Sequence, residues 1–195
     1  MEKTASDSPV PGGGSVAALA AALAASLAEM VANLTIGKKS FEDVDLEMQA
    51  IAKETRNYRD KLVKDIDKDA DSYKAVVAAY KMAKETDEEK LKRKTAIQEA
   101  LKQAALVPLK VACDAAELLE LAGNVAKKGN KNAITDAFVG VMMARTAVLA
   151  ALYNVKINLN SIKDPSFVDS ISKEVNALEE KILQREKELL AEIEV

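Results

Sequence analysis

The sequence predicts an all-α fold: one domain over residues 1–195, built as a bundle of about five helices, some of them very long. The first reason is composition, since 7 glycines, 4 prolines and 4% aromatic residues are poor material for sheets. The second is periodicity, because apolar residues recur at intervals of three and four along most of the chain. The third is length, since 195 residues bury one core but are few for two domains.

The first two helices are the most clearly marked. Residues 16–34 follow a helix-breaking stretch at 9–15 and are apolar on nearly every side, which predicts a central, buried helix. Residues 44–80 carry an apolar stripe at three-and-four spacing, which predicts one helix of roughly ten turns. The stripe consists of Val44, Met48, Ile51, Thr55, Tyr58, Leu62, Ile66, Asp69, Tyr73, Val76 and Tyr80.

Three further helices complete the predicted bundle. The third lies between a polar break at 85–89 and the pair Gly129-Asn130, the fourth covers about 132–160, and the fifth follows Pro165. Near-heptad spacing in the fifth keeps a second class of function open, a non-catalytic helical interaction or scaffold protein. The apolar positions of the fifth helix are Phe167, Ile171, Leu178, Ile182, Leu189 and Ile193.

Charge and apolar runs exclude several partners. With 28 basic and 31 acidic residues, the chain has no positive excess that would attract nucleic acid or anionic lipid. Its longest apolar run, residues 16–28, is shorter than the ~20 residues that span a bilayer, so no membrane partner is expected. Residues 1–9 lack the features of a signal peptide, and Cys113 is the only cysteine, so we expect a cytoplasmic protein.

The chain contains no histidine. This removes the side chain that most often acts as an acid or base near neutral pH, and also the commonest metal ligand. We therefore expect any chemistry to depend on carboxylates, lysine, tyrosine or backbone groups, and we expect no metal site.

Four aspartates alternate between residues 65 and 71, which at first suggests a calcium loop. A calcium loop that begins at residue 65 needs glycine at its sixth position and glutamate at its twelfth, where this chain has Ala70 and Val76. The helical phase instead turns Asp67 and Asp71 outward and leaves position 65 at the margin of the stripe. Only the aspartate at 69 is predicted to face the interior.

Asp69 is the strongest candidate for catalysis that the sequence offers. A buried carboxyl loses hydration, so its pKa rises, and it is then able to give and take protons near neutrality. The structural alternative is an aspartate that only accepts a hydrogen bond from a neighbouring helix. Helical phase alone does not decide between the two interpretations.

Other candidate residues lie at the two ends of the predicted helices. Gly12, Gly13, Gly14 and Ser15 precede a helix whose free N–H groups suit an anion, or they form a flexible entry with the serine as N-cap. Lys38 is suited to hold a distant ligand carboxylate, although loop lysines are usually only solvated. Side-chain amides and a carboxylate share one side of the fourth helix and suit either a pocket wall or helix packing, at Asp136, Asn154 and Asn158.

Taken in order, several motifs resemble the cyclodeaminase/cyclohydrolase family, which includes the C-terminal domain of formiminotransferase-cyclodeaminase and stand-alone bacterial methenyltetrahydrofolate cyclohydrolases. The resemblance covers essentially the whole chain. The motifs are SPVPGGGSV at 8–16, NLTIGKK at 33–39, DADSY at 69–73, Gly129-Asn130, Asp136 and NVKINL at 154–159.

The resemblance implies a helical bundle that forms a homodimer, a folate site near the subunit interface, and Asp69 as the proton donor. It implies a tetrahydrofolate derivative, with or without a polyglutamate tail, as the substrate, and no permanently bound cofactor. The substrate-binding residues that match its motifs are Gly12, Gly13, Gly14, Ser15, Lys38, Asn130, Asp136, Asn154 and Asn158.

Two positions depart from the family pattern. Only ten residues precede Pro11, where members usually carry another amphipathic turn or helix, so we expect a truncated start. Ala83 stands where proline is common, just before the lysine matched by Lys84. The short, stand-alone form favours methenyltetrahydrofolate cyclohydrolase activity over formiminotetrahydrofolate cyclodeaminase activity.

Overall fold

The protein, seen in a computed structural model, is a helical bundle in which residues 1–192 are described and form no β-strand. The predicted all-α fold with five helices is confirmed. Ile193, one of the apolar positions predicted for the fifth helix, lies outside the described residues. Two short 3₁₀ segments, Lys39–Val44 and Lys131–Ala133, precede α2 and α4. The helices are α1 (Gly13–Asn33), α2 (Asp45–Tyr80), α3 (Asp87–Lys128), α4 (Ile134–Leu159) and α5 (Pro165–Glu192).

Helix α1 is the centre of the bundle and packs against α2, α3 and α4. Most of its buried side chains are alanines, and several of them, such as Ala17, Ala21 and Ala28, have no exposed surface. Because alanine side chains are short, neighbouring helices approach α1 closely. The predicted central position of this helix is confirmed.

One side of α1 is nevertheless uncovered. The start of α1 lies beside the end of α4 at Asn154, and the end of α1 lies beside Asn130, just before α4, so the two helices run antiparallel. Together they present an apolar strip to solvent, which we call the α1/α4 face. Each member is more than a third exposed: Val16, Leu19, Leu23 and Met30 on α1, and Val139, Met142, Tyr153 and Ile157 on α4.

Two segments, α1 and Lys131–Leu159, are long and apolar enough to cross a membrane by length and composition alone. The core helix of a bundle has the same properties, and 61% and 50% of their most apolar windows are buried inside this one. The bundle core and the α1/α4 face together therefore account for the apolar character of both segments.

Candidate active site

A cavity of about 350 Å³ opens at the start of α1, where the middle of α2 and the end of α4 meet. Its volume is within the range of small-molecule sites. The walls combine apolar side chains with a few polar groups, as such sites usually do. The lining residues are Pro9, Val10, Gly12, Gly13, Gly14, Asp69, Ser72, Tyr73, Val76, Ala104, Asn154, Ile157 and Asn158.

Asp69 reaches the cavity from α2 and lies against the first turn of α1. The Ser15 hydroxyl is 2.8 Å from Oδ2 of Asp69 and 3.0 Å from the carbonyl oxygen of Ile66. A Cβ atom at Gly14 would overlap the carboxyl group, lying 2.6 Å from its Cγ and 2.9 Å from Oδ2. The absence of a side chain at Gly14 is therefore what allows this carboxyl to rest on α1.

The pKa of Asp69 is raised above the usual value for aspartate, chiefly because burial removes the carboxylate from water. Hydrogen bonds from the side chain and the backbone of Ser15 oppose this effect and lower the pKa. The positive end of α1 favours the ionised form in the same way. Burial and hydrogen bonding therefore act in opposite directions on the pKa of Asp69, and burial has the larger effect.

The glycine motif forms the beginning of α1 in an unexpected way. The N-cap is Gly12, which makes no side-chain hydrogen bond, and Ser15 lies inside the helix rather than at its cap. The N-cap interpretation of Ser15 is therefore wrong. The carboxyl of Asp69 lies against this positive helix end, so an anion from the protein itself already approaches it.

Two amide side chains from α4 form the opposite wall. Asn154 donates to the carbonyl of Ala150 in its own helix at 2.8 Å. Asn158 donates to Ala104 at 2.8 Å and to the Asn154 carbonyl at 2.9 Å, which ties α4 to α3 at the level of the cavity. Within residues 1–192 no group donates to either side-chain carbonyl oxygen, so both oxygens are available to N–H groups of a ligand.

Three predicted substrate-binding residues lie outside this cavity. Asn130 is buried where α1 ends, and it donates to the Leu34 carbonyl at 3.1 Å. Lys38 is exposed just after α1, and Asp136 lies in the first turn of α4. All three are at the far end of α1, which is 21 residues or roughly 30 Å long. Their proposed role in binding stays a prediction.

The prediction that only Asp69 faces the interior is wrong. Asp65 is 4% exposed, whereas Asp69 is only partly buried. The reason is that α2 packs against both α1 and α3, so its buried surface is wider than one stripe. Asp65 accepts a hydrogen bond from Lys68 at 2.5 Å and lines a separate groove beside α3, away from the Asp69 cavity.

Several lining residues were missed from the sequence. Tyr73 and Val76 belong to the predicted stripe, and the structure places both in the cavity wall, although Val76 also packs against the core. A weak signal existed, because a polar residue within a stripe often marks the point where packing gives way to a site. Ala104 and Ile157 carry no such signal, since only the packing of α3 and α4 brings them to the cavity.

Residues 1–177 match the family model described as formiminotransferase-cyclodeaminase. The chain belongs to this family. The resemblance predicted from the sequence motifs is thereby confirmed. In the folded protein, three of these motifs, around Gly12–Gly14, Asp69 and Asn154–Asn158, line three sides of one cavity.

Curated and solved members of the formiminotransferase-cyclodeaminase family resemble the chain closely. It is 40% identical over 178 residues to the methenyltetrahydrofolate cyclohydrolase of Methylorubrum extorquens. The aligned residues cover 91% of this chain and 86% of that protein. The chain is 37% identical to the formimidoyltransferase-cyclodeaminase of Gallus gallus, matching 96% of this chain but 35% of that longer protein. The formiminotetrahydrofolate cyclodeaminase of Thermotoga maritima superposes with a TM-score of 0.83 at 34% identity, covering 97% of this chain and 92% of that one.

Proposed function

We propose that the chain is a folate one-carbon enzyme that acts on the carbon held between N5 and N10 of tetrahydrofolate, with Asp69 as general acid and base. The observation that carries the proposal is the Asp69 carboxyl in the cavity wall, hydrogen-bonded by Ser15 and with a raised pKa. The relatives add support, because they are named for two reactions at this carbon.

The cavity suits the pterin part of such a substrate. A pterin ring is flat and carries N–H donors on one edge, which match the free side-chain oxygens of Asn154 and Asn158. Apolar contacts from Val76 and Ile157 suit the faces of the ring. With the ring held there, the reacting carbon lies toward the opposite wall, where Asp69 is found.

As a methenyltetrahydrofolate cyclohydrolase, the enzyme adds water to the methenyl carbon. Ionised Asp69 takes a proton from the attacking water, which leaves a tetrahedral carbon bonded to N5, N10 and a hydroxyl group. The protonated carboxyl then returns the proton to N5 as the bond between N5 and the carbon breaks. The hydroxyl group loses its own proton to solvent in the same step, which leaves the formyl group on N10. This acid/base help contributes roughly 10²–10⁴-fold to the rate.

As a formiminotetrahydrofolate cyclodeaminase, the enzyme uses the same carboxyl in its other state. N10 attacks the formimino carbon on N5, and the proton of N10 passes to the formimino nitrogen. Protonated Asp69 then donates a second proton to this nitrogen, which leaves as ammonia and gives the methenyl product. We favour the cyclohydrolase as the main activity, because the chain is 40% identical to a cyclohydrolase and 34% identical to a cyclodeaminase of similar length.

The deciding experiment follows both substrates with the purified full chain. We expect the absorbance of methenyltetrahydrofolate to fall faster with protein than without, and ammonia release from formiminotetrahydrofolate to be slower than that reaction. Turnover of neither substrate by the folded protein would overturn the proposal and favour the non-catalytic scaffold. Faster turnover of the formimino substrate would overturn the preference for the cyclohydrolase.

The α1/α4 face supports a homodimer. Exposed apolar strips of this length are typical of interfaces, and most soluble homo-oligomers are two-fold symmetric. Ile157 belongs to the face and to the cavity lining, so a second copy on this face would border the site. We propose that two α1 helices pair antiparallel there. This arrangement brings Lys38, Asn130 and Asp136 of the partner subunit toward the cavity, one helix length from where they lie in their own chain.

Leu23 lies midway along α1 on this face and tests the dimer. We expect Leu23→Glu to convert the dimer to a monomer, because a two-fold contact would bury this carboxylate close to its own copy. The matched control is Leu46→Glu on α2, since Leu46 is 81% exposed and outside the face. Light scattering coupled to size exclusion measures the mass. A monomeric wild type, or a dimeric Leu23→Glu variant, would contradict the proposed interface.

A second cavity, of about 430 Å³, suits the glutamate tail of the substrate. It shares Pro9, Val10 and Tyr73 with the Asp69 cavity and adds Lys74 and Lys81 to its walls. We propose that tail carboxylates lie beside these lysines. Lys81→Gln is then expected to raise KM more for a triglutamate substrate than for a monoglutamate one. An equal rise for both substrates would place the tail elsewhere.

A further inference from the structure

The Ser15 hydroxyl lies between two oxygen acceptors but has only one proton to donate. Its Oγ is 2.8 Å from Oδ2 of Asp69 and 3.0 Å from the carbonyl oxygen of Ile66. A hydroxyl donates one hydrogen bond and accepts up to two. The three oxygens therefore form a chain with two links, and both links are hydrogen bonds only when a second proton is present.

The second proton has one source in this geometry. Ile66 presents a carbonyl oxygen, which has no proton, so the additional proton comes from Asp69 in its neutral form. With Asp69 ionised, the Ser15 hydroxyl donates to Oδ2. With Asp69 neutral, the carboxyl O–H donates to Oγ, and the hydroxyl proton turns to the Ile66 carbonyl.

We propose that the Ser15 hydroxyl is a two-position rotor that holds the Asp69 carboxyl in the same place in both of its protonation states. Ser15 is thus a positioning residue rather than a substrate-binding one. Its burial agrees with this assignment, because at 1% exposure the hydroxyl has almost no contact with solvent or ligand. The use of the rotor in catalysis rests on the proposed function, whereas its geometry does not.

The Ile66 carbonyl is well placed for this second position. It is one turn before Asp69 on α2, so the carbonyl and the carboxyl lie on the same side of the helix. Its helical partner is the N–H four residues later, which leaves a second lone pair for the hydroxyl. Rotation about one side-chain bond of Ser15 is then the only movement that the change of protonation state requires.

The surroundings of Asp69 hold few other charges. The cavity walls formed by residues 9–14, α1, α3 and α4 contain no acidic or basic side chain, and α2 contributes Asp69, Ser72, Tyr73 and Val76 to the lining. Asp65, one turn earlier, faces α3 and is paired with Lys68. Asp69 is therefore the carboxyl in the cavity lining on which changes at acidic pH report.

The test is nuclear magnetic resonance and requires no substrate. Ile66-Asp67 is the only Ile-Asp pair in the sequence, so carbonyl-¹³C isoleucine with ¹⁵N aspartate gives one cross-peak, from the Ile66 carbonyl. In the wild type we expect this ¹³C shift to titrate with the same midpoint as the Asp69 carboxyl. The titration of Ile66 is expected to vanish in Ser15→Ala and in Asp69→Asn.

Ser15→Ala also changes the midpoint of Asp69 itself. The hydrogen bond to the carboxylate is charge-assisted and stronger than the one to the neutral acid, so its loss raises the pKa of Asp69 by on the order of one unit. The control is Ser26→Ala, because Ser26 lies on the same helix and donates to the Ala22 carbonyl. An Ile66 signal that stays flat while Asp69 titrates in the wild type would overturn the rotor, whatever the enzyme assays show.

Discussion

Asp69→Asn is expected to lower turnover of methenyltetrahydrofolate by roughly 10²–10⁴-fold without unfolding the protein. An amide neither accepts the proton of the attacking water nor returns it to N5, yet it fills the same space beside Gly14 and accepts from Ser15. Initial rates measured by absorbance, with helical content from circular dichroism, check both halves of this expectation.

The control for Asp69→Asn lies on the same helix. Asp67 is exposed, so Asp67→Asn makes an identical change in chemistry outside the cavity and leaves the rate unchanged. Turnover near the wild-type level in a folded Asp69→Asn variant would remove Asp69 from the mechanism. It would leave the family membership intact.

Gly14→Ala is the second change with a large expected effect. The new methyl group would overlap the Asp69 carboxyl, so either the carboxyl turns away or α1 moves from α2. A misplacement of about 1 Å in a reacting group costs around 10²-fold in rate, and we expect a loss of that size in kcat. Such overpacking also lowers the free energy of unfolding by about 1–3 kcal/mol.

Gly140→Ala is the matched control for the glycine change. Gly140 is also inside a helix, and a Cβ there would lie 3.5 Å from the Leu27 Cβ and 3.6 Å from the Ala122 Cβ, at ordinary contact distance. Gly140→Ala replaces glycine, which disfavours a helix, with a good helix former, and the new methyl group overlaps no neighbour. We therefore expect an unchanged kcat and a slightly higher melting temperature. Equal losses of activity in both variants would show that helix packing, not the position of Asp69, limits the rate.

The helices could be predicted almost completely from the sequence, because each one has a local signature. The stripe from Val44 to Tyr80 corresponds to α2, and the Gly129-Asn130 pair marks the end of α3. Asp69 could be singled out because it interrupts that stripe. Each of these features belongs to a single helix, so it can be recognised from the periodicity of the sequence alone.

The composition of the cavity wall could not be predicted, because it depends on how helices meet. Nothing in the sequence near Ala104 indicates that its carbonyl accepts from Asn158. Asp65 was placed at the margin for the same reason, since the width of the buried surface of α2 depends on α3. The exposed strip on α1 was also unexpected, because a helix that is apolar all round predicts burial without naming the partner that provides it.

In the proposed function, the negative charge of Asp69 in the cavity lining distinguishes a cationic substrate from a product that lacks this charge. Among residues 1–192, Asp69 is the only charged side chain in the cavity lining. Methenyltetrahydrofolate, the substrate in the proposed function, carries a positive charge shared by the methenyl carbon and the two nitrogens beside it. Under the proposed mechanism, a bound cationic substrate would stabilise the carboxylate and lower the pKa that burial raises, so that Asp69 would be ionised when it acts as the base. Hydrolysis leaves the formyl product without that charge. The electrostatic attraction between the Asp69 carboxylate and the ligand would then be lost after hydrolysis, which would favour release of the product.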